Sequence, residues 1–500
     1  MTIEATAELA ARVRADLALL SYPSTPWVEP WRAADGTPIH AVIIVGGGQS
    51  GLAIAAALRR DGVNDVVIVD RQPRGHEGVW ETFARMHELR TPKALNGMDF
   101  GLRSLSVQQW FDARFGVGAF AGIDRIPRTA WMEYLRWYRG TLDLAVENET
   151  EAVNIRPCAA VVAVDLQRHG RVEKRLARVA VIASGYDGAG RWRVPDSIAA
   201  ALPAHRYDHT NGPVNFSRFA GRRIAILGHA ASAFDNAIMA LRADATRVDL
   251  CFRRGRMPRI NPHRFLETAG TLTHFTMLPD DIRWRVARFF RAVDQPPPLT
   301  SFMAARAYQN FHMHPGRPWT AVRLDGGEIA ISTPKGELRA DHLLLGTGAT
   351  VELEARVELQ TLAPAVLRWR DCYTPPPGEE DARLGALPYL DEHFGFLPKT
   401  AGDRWVERVV CFNFASIVSH GPHSTSISGH RHCLPRVVRG ITGRLFREQE
   451  NEFTEHLAAY SDKELDLPDD FETTLAPEAA RSVPSADPAS LTRRRTWGQA

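Results

Sequence analysis

The sequence predicts an α/β protein built from two parallel-sheet units, with the second inserted into the first. The main observation is that residues 41–71 and 222–254 share one order of elements. Each stretch has a short run of apolar, mostly β-branched residues, a turn of small residues, an alanine-rich helix and a second apolar run. Short apolar runs of this kind are typical of fully buried strands. A strand, a helix and a second strand in this order form a parallel crossover unit.

The turn of the first unit has the spacing of a dinucleotide-binding loop, G-x-G-x-x-G, at residues 46–51. Gly46 allows the tight turn, Gly48 lets a diphosphate approach the backbone, and Gly51 lets the helix pack closely on the strand. The start of that helix offers free N–H groups to phosphate. Asp70 ends the next strand and is placed to accept hydrogen bonds from ribose hydroxyls. The alternative is a glycine-rich turn that only packs. The other predicted contacts are Gln49, Ser50 and Arg71.

The turn of the second unit is a G-x-A-x-x-A variant at residues 228–233, which leaves less room for a ligand. The strand that follows ends in Arg253 and Arg254 and has no acidic residue there. A carboxylate would repel a 2′-phosphate, whereas guanidinium groups pair with it. The pattern therefore favours NADPH over NADH, and the alternative is a basic surface tip. The predicted contacts in the turn are Gly228, Ala230, Ser232 and Ala233. Both units are thus predicted to be Rossmann-like.

Two further buried runs end in small residues, at 183–185 (ASG) and 346–348 (GTG). They indicate where the chain passes between the units, and Gly185 and Gly348 are predicted to lie against a cofactor. The predicted organisation is a helical extension at 1–38, the first dinucleotide domain at 39–188, the inserted domain at 189–340, the return to the first domain at 341–450 and a tail at 451–500.

Residues 74–98 are predicted to form a loop, because Pro73, Gly75 and Gly78 punctuate the start of this segment. Trp80 in this loop could cover a flat ring or fill a gap in the core. Arg90 and Lys93 could stabilise negative charge on a reduced ring, or could simply be solvated. The candidate contacts of the loop are Gly78, Val79, Trp80, Arg90, Thr91 and Lys93.

Composition excludes several classes of function. The chain has 500 residues, a net charge of +3, 44% hydrophobic residues and 24% charged residues, as in a soluble globular protein. This charge is too small to indicate nucleic acid or an anionic membrane. There is no run of 18 apolar residues, and Arg12, Arg14 and Asp16 interrupt any leader, so we expect a cytoplasmic protein without a membrane span. Five separated cysteines without a C-x-x-C pair argue against a disulfide reductase.

The order of these motifs resembles that of the class B flavoprotein monooxygenases, which comprise flavin-containing monooxygenases, amino-acid N-hydroxylases and Baeyer–Villiger enzymes. The resemblance extends over residues 39–447. The first loop with Asp70 resembles the FAD site of the family, residues 78–80 (GVW) its G-G-x-W, and residues 89–93 (LRTPK) its x-x-T-P-K. The ASG and GTG segments resemble its A-T-G linkers, and the second turn with the paired arginines resembles its NADPH site.

The chain departs from the family between the two units. The family fingerprint there is F-x-G-x-x-x-H-S-x-x-Y, or H-x-x-x-W-P in Baeyer–Villiger enzymes, whereas this chain has LPAHRYDHT at 202–210. A histidine is retained without the leading Phe and Gly. This argues against Baeyer–Villiger chemistry and leaves the subfamily open. The candidate catalytic residues near the reacting oxygen or the nicotinamide are His205, Tyr207 and Asn413.

The resemblance implies FAD and NADPH as cofactors and O2 with a small molecule as substrates. NADPH would reduce FAD, O2 would add to give a C4a-(hydro)peroxide, and this would oxygenate a nucleophilic nitrogen or sulfur or an activated carbon. The alternatives are an FAD oxidoreductase or oxidase without oxygen transfer and a nucleotide-binding sensor without turnover. A homo-oligomer is compatible with the sequence.

No metal site is predicted. The histidines near Cys433 match no zinc spacing, and a helix start at 424–426 aimed at the pyrimidine edge of a flavin is the favoured interpretation. These histidines are His420, His423, His430 and His432.

Overall fold

In a computed structural model of the chain, the structure describes residues 2–95, 97–293, 295–462 and 464. It contains two compact units, Met1–Glu448 and Gln449–Ala500. Within the smaller unit the structure describes one helix, Glu450–Ala459, and the predicted tail beyond residue 464 lies outside the described residues. No helix in the described ranges is long and apolar enough to cross a bilayer.

The elements are numbered in chain order. The strands are β1 Trp31–Arg32, β2 Pro38–Val45, β3 Val66–Val69, β4 Thr150–Cys158, β5 Val161–Arg168, β6 Arg171–Ile182, β7 Gly190–Trp192, β8 Tyr207–His209, β9 Arg223–Leu227, β10 Arg247–Phe252, β11 Phe311–Pro315, β12 Ala321–Asp325, β13 Glu328–Thr333, β14 Gly336–Ala340, β15 His342–Leu345, β16 Ala349–Val351 and β17 Val409–Cys411. The α-helices are α1 Thr2–Leu19, α2 Gln49–Arg60, α3 Val107–Phe115, α4 Arg128–Thr141, α5 Asp196–Ala201, α6 Ala231–Arg242, α7 His263–Leu266, α8 Ala269–His274, α9 Asp280–Ala292, α10 Leu299–Arg306, α11 Trp369–Cys372, α12 Ala382–Gly385, α13 Ile417–His420, α14 Ile427–Arg447 and α15 Glu450–Ala459.

The first sheet has seven strands and contains the first crossover unit. Strands β3, β2, β6 and β17 lie side by side and run parallel. The long strand β6 also pairs along its first part with β5, and β5 pairs with β4, in an antiparallel meander. Helices α2 and α14 pack on one face through a core that includes Leu52, Ile54, Val437 and Ile441. The same core holds Leu9 and Val13 of α1.

The second sheet is parallel throughout, in the order β11-β10-β9-β15-β8. An antiparallel meander of β12, β13 and β14 lies between β11 and β15 in the chain. A two-stranded ribbon of β7 and β16 joins the outgoing and returning segments that connect the two sheets. The two Rossmann-type units predicted from the sequence are therefore present.

The second sheet includes a strand that lies beyond the predicted end of the inserted domain at residue 340. Strand β15 lies between β9 and β8 in the second sheet, although the sequence boundary assigns residues from 341 to the first domain. Only Asp341 separates β14 of the meander from β15, and β15 completes the second sheet. We therefore propose that the inserted domain ends near residue 348, where β16 begins the return.

Candidate functional site

A cleft of about 430 Å³ lies at the carboxyl ends of β2, β3 and β6, beside the start of α2. Ligands of open parallel sheets bind at this edge, because the loops that follow the strands leave a crevice there. We call this the first cleft. Of the predicted residues, those that line it are Gly46, Gly48, Gln49, Ser50, Asp70, Arg71, Gly78, Val79, Trp80 and Gly185.

Two glycines of the first turn hold strand and helix in close contact. Gly46 has φ +112°, and a Cβ there would lie 2.6 Å from the carbonyl oxygen of Ala183. A Cβ at Gly51 would lie 1.8 Å from the carbonyl oxygen of Gly46. Neither position has room for a side chain, and at Gly46 the backbone conformation is also one that favours glycine. The turn therefore brings the N-terminus of α2 directly to the end of β2.

The start of α2 fits a diphosphate. Gly48 is the N-cap residue and provides no side-chain hydrogen bond to the helix. A Cβ on Gly48 would lie 3.4 Å from the Cα of Gly78, so the two glycines lie against each other in the wall of the cleft, and neither has a side chain that extends into it. The first amides of a helix have no partner within the helix. Unpaired backbone amides beside a cleft wall made of glycines suit the charged oxygens of a dinucleotide.

Asp70 directly follows β3 and also lines the first cleft. Its carboxylate accepts hydrogen bonds from the backbone amides of Gly47 at 2.7 Å and Gln72 at 2.8 Å. Burial raises the pKa of Asp70, and these two hydrogen bonds oppose the shift. The amides fix the orientation of the carboxylate, which leaves further lone pairs for hydroxyl donors. Arg71 binds Asp187 at 2.8 Å rather than pointing freely into the cleft.

Part of the lining of the first cleft is aromatic. Trp80, Phe83, Tyr186 and Phe414 line it, together with Ser426 at the N-cap of α14. Tyr186 and Phe414 pack edge to face with ring centroids 4.3 Å apart. The side chain of the N-cap residue Ser426 makes no capping hydrogen bond to α14, so the positive end of the helix dipole is available to a ligand. A flat apolar wall beside a helix N-terminus suits a large ring with one electron-rich edge.

The second turn repeats the geometry of the first. Gly228 has φ +136°, and a Cβ there would lie 2.5 Å from the carbonyl oxygen of Gly346. The N-cap of α6 is Ala230, and it supplies no side-chain hydrogen bond. The hydroxyl oxygens of Ser232 and Thr210 lie 3.5 Å apart. The second sheet thus presents another uncapped helix start at the carboxyl ends of its strands, as a second dinucleotide requires.

The two predicted arginines of the second site differ in their surroundings. Arg253 is exposed at the end of β10, whereas Arg254 donates a hydrogen bond to the carbonyl oxygen of Ala292 at 2.6 Å. Arg193 was not predicted from the sequence. Burial lowers its pKa, and the positive charges of Arg383 and Arg253 lower it further. Arg253 therefore belongs to a cationic cluster that only the folded chain assembles.

The structure does not bring Arg90 and Lys93 to the first cleft. Lys93 donates hydrogen bonds to three carbonyl oxygens, of Phe120 at 2.9 Å, Ala121 at 3.3 Å and Ile123 at 2.5 Å. Arg90 binds the buried carboxylate of Asp235 at 3.1 Å. Lys93 therefore holds a neighbouring loop, and Arg90 links the loop to α6. Thr91 lies between them and does not line the first cleft either.

The candidate catalytic residues His205, Tyr207 and Asn413 are not among the residues that line the first cleft. His205 is exposed before β8, and Tyr207 begins that strand, so both lie at the amino edge of the second sheet. Asn413 is buried. Its side chain accepts from the amide of Ala415 at 2.9 Å and donates to Ser184 Oγ at 3.2 Å. It therefore supports the ASG segment that lines the cleft.

The last residue of β8 was not among the predicted site residues. His209 lies at the carboxyl edge of the second sheet and stacks on Trp192 with ring centroids 5.2 Å apart and an interplanar angle of 12°. Burial lowers the pKa of His209 to about 4, so the ring is neutral at pH 7. Gly348, in the GTG segment, accepts a hydrogen bond from the amide of Arg193 at 2.9 Å. These residues pack between the two sheets.

The histidines near Cys433 do not converge. Each has a separate hydrogen-bond partner: Asp391 for His420, His263 for His423, Ser50 for His430 and Thr273 for His432. Among the described residues, no group of three or more His, Cys, Asp or Glu side chains could hold a metal ion.

Comparisons with known proteins agree with these two sites. A family described as FAD-NAD(P)-binding matches residues 43–187. The FAD-dependent urate hydroxylase of Xanthomonas campestris pv. campestris is 38% identical over 459 residues, which is 92% of this chain and 97% of that protein.

Solved structures share the fold. An ornithine hydroxylase from Pseudomonas aeruginosa superposes with a TM-score of 0.64 at 17% identity, over 81% of this chain and 100% of that one. An ornithine N-hydroxylase from Kutzneria sp. 744, solved with reduced FAD, NADP+ and L-ornithine, gives 0.63 at 15% identity, with 81% and 100% covered. A cadaverine monooxygenase from Erwinia amylovora with bound FAD gives 0.61 at 14% identity, with 81% and 95% covered.

Proposed function

This chain belongs to the family of the FAD-dependent urate hydroxylase, and we propose that it hydroxylates urate or a closely similar planar nitrogen heterocycle. It is a flavin-dependent monooxygenase of class B that uses FAD and NADPH. The observation that carries the choice of substrate is the match to the urate hydroxylase, which spans nearly the whole of both chains.

The described residues support the assignment of cofactors to the sites. In our proposal the first cleft holds FAD, with its diphosphate at the start of α2 and its adenosine ribose at Asp70. The flavin ring then lies at the aromatic end, where the N-terminus of α14 favours negative charge on the ring. When bound, FAD supplies the redox chemistry, because it takes a hydride from NADPH and transfers electrons to O2.

The rest of the proposed mechanism concerns what the protein contributes. Trp80, Phe83, Tyr186 and Phe414 shield the ring end of the first cleft from water, which an oxygenating site requires. The start of α6 binds the diphosphate of NADPH, and Arg253 pairs with its 2′-phosphate.

A substrate test distinguishes oxygenation from simple oxidase activity. The purified yellow protein is mixed with NADPH in air, with and without urate, and NADPH oxidation, O2 uptake and H2O2 release are followed. We expect urate to stimulate NADPH oxidation about 10-fold or more and to give a hydroxylated product. Ornithine, lysine and cadaverine serve as comparison substrates and should not stimulate it. If urate changes neither the rate nor the amount of H2O2, the proposed substrate is wrong.

The Arg253→Ala variant should lose most of its preference for NADPH. We expect KM for NADPH to rise about 10- to 100-fold because a charge-assisted pair with the 2′-phosphate is lost, while KM for NADH stays close to that of the wild type. Arg254→Ala is the matched control, since its guanidinium is hydrogen-bonded to Ala292. We expect a smaller effect for this control. Equal losses with NADPH and NADH in Arg253→Ala would place the 2′-phosphate elsewhere.

A further inference from the structure

Ser50 and His430 form a buried hydrogen bond between the two helices that meet at the FAD cleft. Ser50 Oγ lies 3.0 Å from His430 Nε2, although 380 positions separate the residues in the chain. Ser50 is in the first turn of α2 and lines the cleft. His430 is in the first turn of α14 and is completely buried. This contact joins the helix at the diphosphate to the helix at the flavin end.

The rest of the His430 ring meets no charged group. The ring stacks on Phe412 with centroids 6.0 Å apart and an interplanar angle of 25°. Nδ1 is buried and has no hydrogen-bond partner among the described residues. Burial lowers the pKa of His430 to about 4, so the ring is neutral at pH 7. A neutral imidazole has one N–H, which is either on Nδ1 or on Nε2.

The position of that hydrogen decides what Ser50 can do. A serine hydroxyl has one hydrogen to donate and two lone pairs that accept. If His430 carries its hydrogen on Nε2, the ring donates to Ser50 Oγ and the hydroxyl hydrogen is free for a phosphate oxygen. If the hydrogen is on Nδ1, Nε2 accepts the hydroxyl hydrogen instead. A diphosphate offers only acceptors, so it pairs with Ser50 only in the first case.

We propose that His430 is a positioning residue for the FAD diphosphate: its Nε2–H donates to Ser50 Oγ and turns the Ser50 hydroxyl hydrogen towards the phosphate oxygens. His430 does not touch the cofactor in this arrangement and acts only through Ser50. The arrangement rests on the proposed function, which assigns the diphosphate of FAD to the start of α2.

The first measurement is the dissociation constant of FAD with the full-length chain stripped of flavin. Loss of one hydrogen bond to a charged group costs about 10-fold in affinity, so we expect this loss in Ser50→Ala and in His430→Leu. The double variant should be no weaker than either single variant, because both remove the same interaction. His430→Gln should recover part of the affinity, since its amide N–H can donate to Ser50.

The second measurement separates positioning from damage to α14. ADP contains the diphosphate but no flavin, and riboflavin contains the flavin ring but no phosphate. We expect His430→Leu to weaken ADP binding about 10-fold and to leave riboflavin binding unchanged. His420→Leu is a control, because it removes another buried histidine, whose Nε2 hydrogen-bonds to the Asp391 carbonyl oxygen. It should change neither ligand.

Several results would overturn the proposal. These are equal losses of riboflavin and ADP binding in His430→Leu, additive losses in the double variant, or no recovery in His430→Gln. A ¹⁵N NMR spectrum of the FAD-bound protein is an independent check: His430 should appear as the Nε2-protonated neutral tautomer, and the Nδ1-protonated form would contradict the assignment.

Discussion

The Gly48→Val variant is expected to fold normally and to be purified without flavin. A Cβ at Gly48 would lie 3.4 Å from the Cα of Gly78, which is an ordinary van der Waals distance, so the protein itself tolerates the first added carbon. The branched methyl groups, however, would extend past this contact into the first cleft, which Gly48 lines and where we propose that the FAD diphosphate lies. We expect the affinity for FAD to fall at least 100-fold, which corresponds to about 3 kcal/mol.

The measurement is the ratio of flavin to protein absorbance after purification, with circular dichroism as the check on folding. Gly140→Val is the matched control, because a Cβ at Gly140 meets nothing within 4 Å and the residue lies in α4, away from the cleft. It should remain yellow. If Gly48→Val is equally yellow, the diphosphate does not lie against Gly48.

Features that depend on a few adjacent residues could be predicted from the sequence. The first loop, residues 46–51, fixes the turn, the helix start and the direction of the next strand by local chemistry alone. The same holds for the ASG and GTG segments, which flank the ribbon between the sheets. The fold class follows from these segments, because a strand, a helix and a parallel strand have one handedness.

Features that depend on where a long side chain ends could not be predicted. Lys93 lies beside the family-like T-P-K motif, yet its ammonium group binds carbonyl oxygens about 30 positions away. His205 and Tyr207 occupy the expected segment, but sites of parallel sheets lie at the carboxyl edge. His209, at the other end of the same short strand, is at that edge. A strand of three residues is enough to separate the two edges.

Three helices with uncapped N-termini account for most of the proposed chemistry. α2, α6 and α14 each lack a side-chain cap, although capping residues stabilise a helix by about 1 kcal/mol. At α2 and α6 the N-cap residues are Gly48 and Ala230, which have no side chain able to cap. We infer that the phosphates and the flavin ring of the bound cofactors interact with the unpaired backbone amides at these helix starts. Binding of FAD and NADPH should therefore raise the melting temperature of the protein.

The Gly51→Ala variant is expected to be strongly destabilised whether or not FAD is present. A Cβ at Gly51 would lie 1.8 Å from the carbonyl oxygen of Gly46 and 3.4 Å from the Cγ2 of Ile44. To reach van der Waals contact, α2 must move more than 1 Å from β2, which disrupts the core shared by this helix and the first sheet. Overpacking a core costs about 1–3 kcal/mol, and we expect the upper end of this range because the clash is with backbone.

Thermal unfolding of flavin-free protein measures this effect, and it separates Gly51→Ala from Gly48→Val. The melting temperature of flavin-free Gly51→Ala should lie several degrees below that of the flavin-free wild type. Flavin-free Gly48→Val should have the same melting temperature as the wild type and should differ from it only when FAD is added. Gly443→Ala in α14 is the control, since its Cβ meets nothing within 4 Å and alanine favours the helix. If Gly51→Ala melts like the wild type, then α2 packs less closely on β2 than the structure shows.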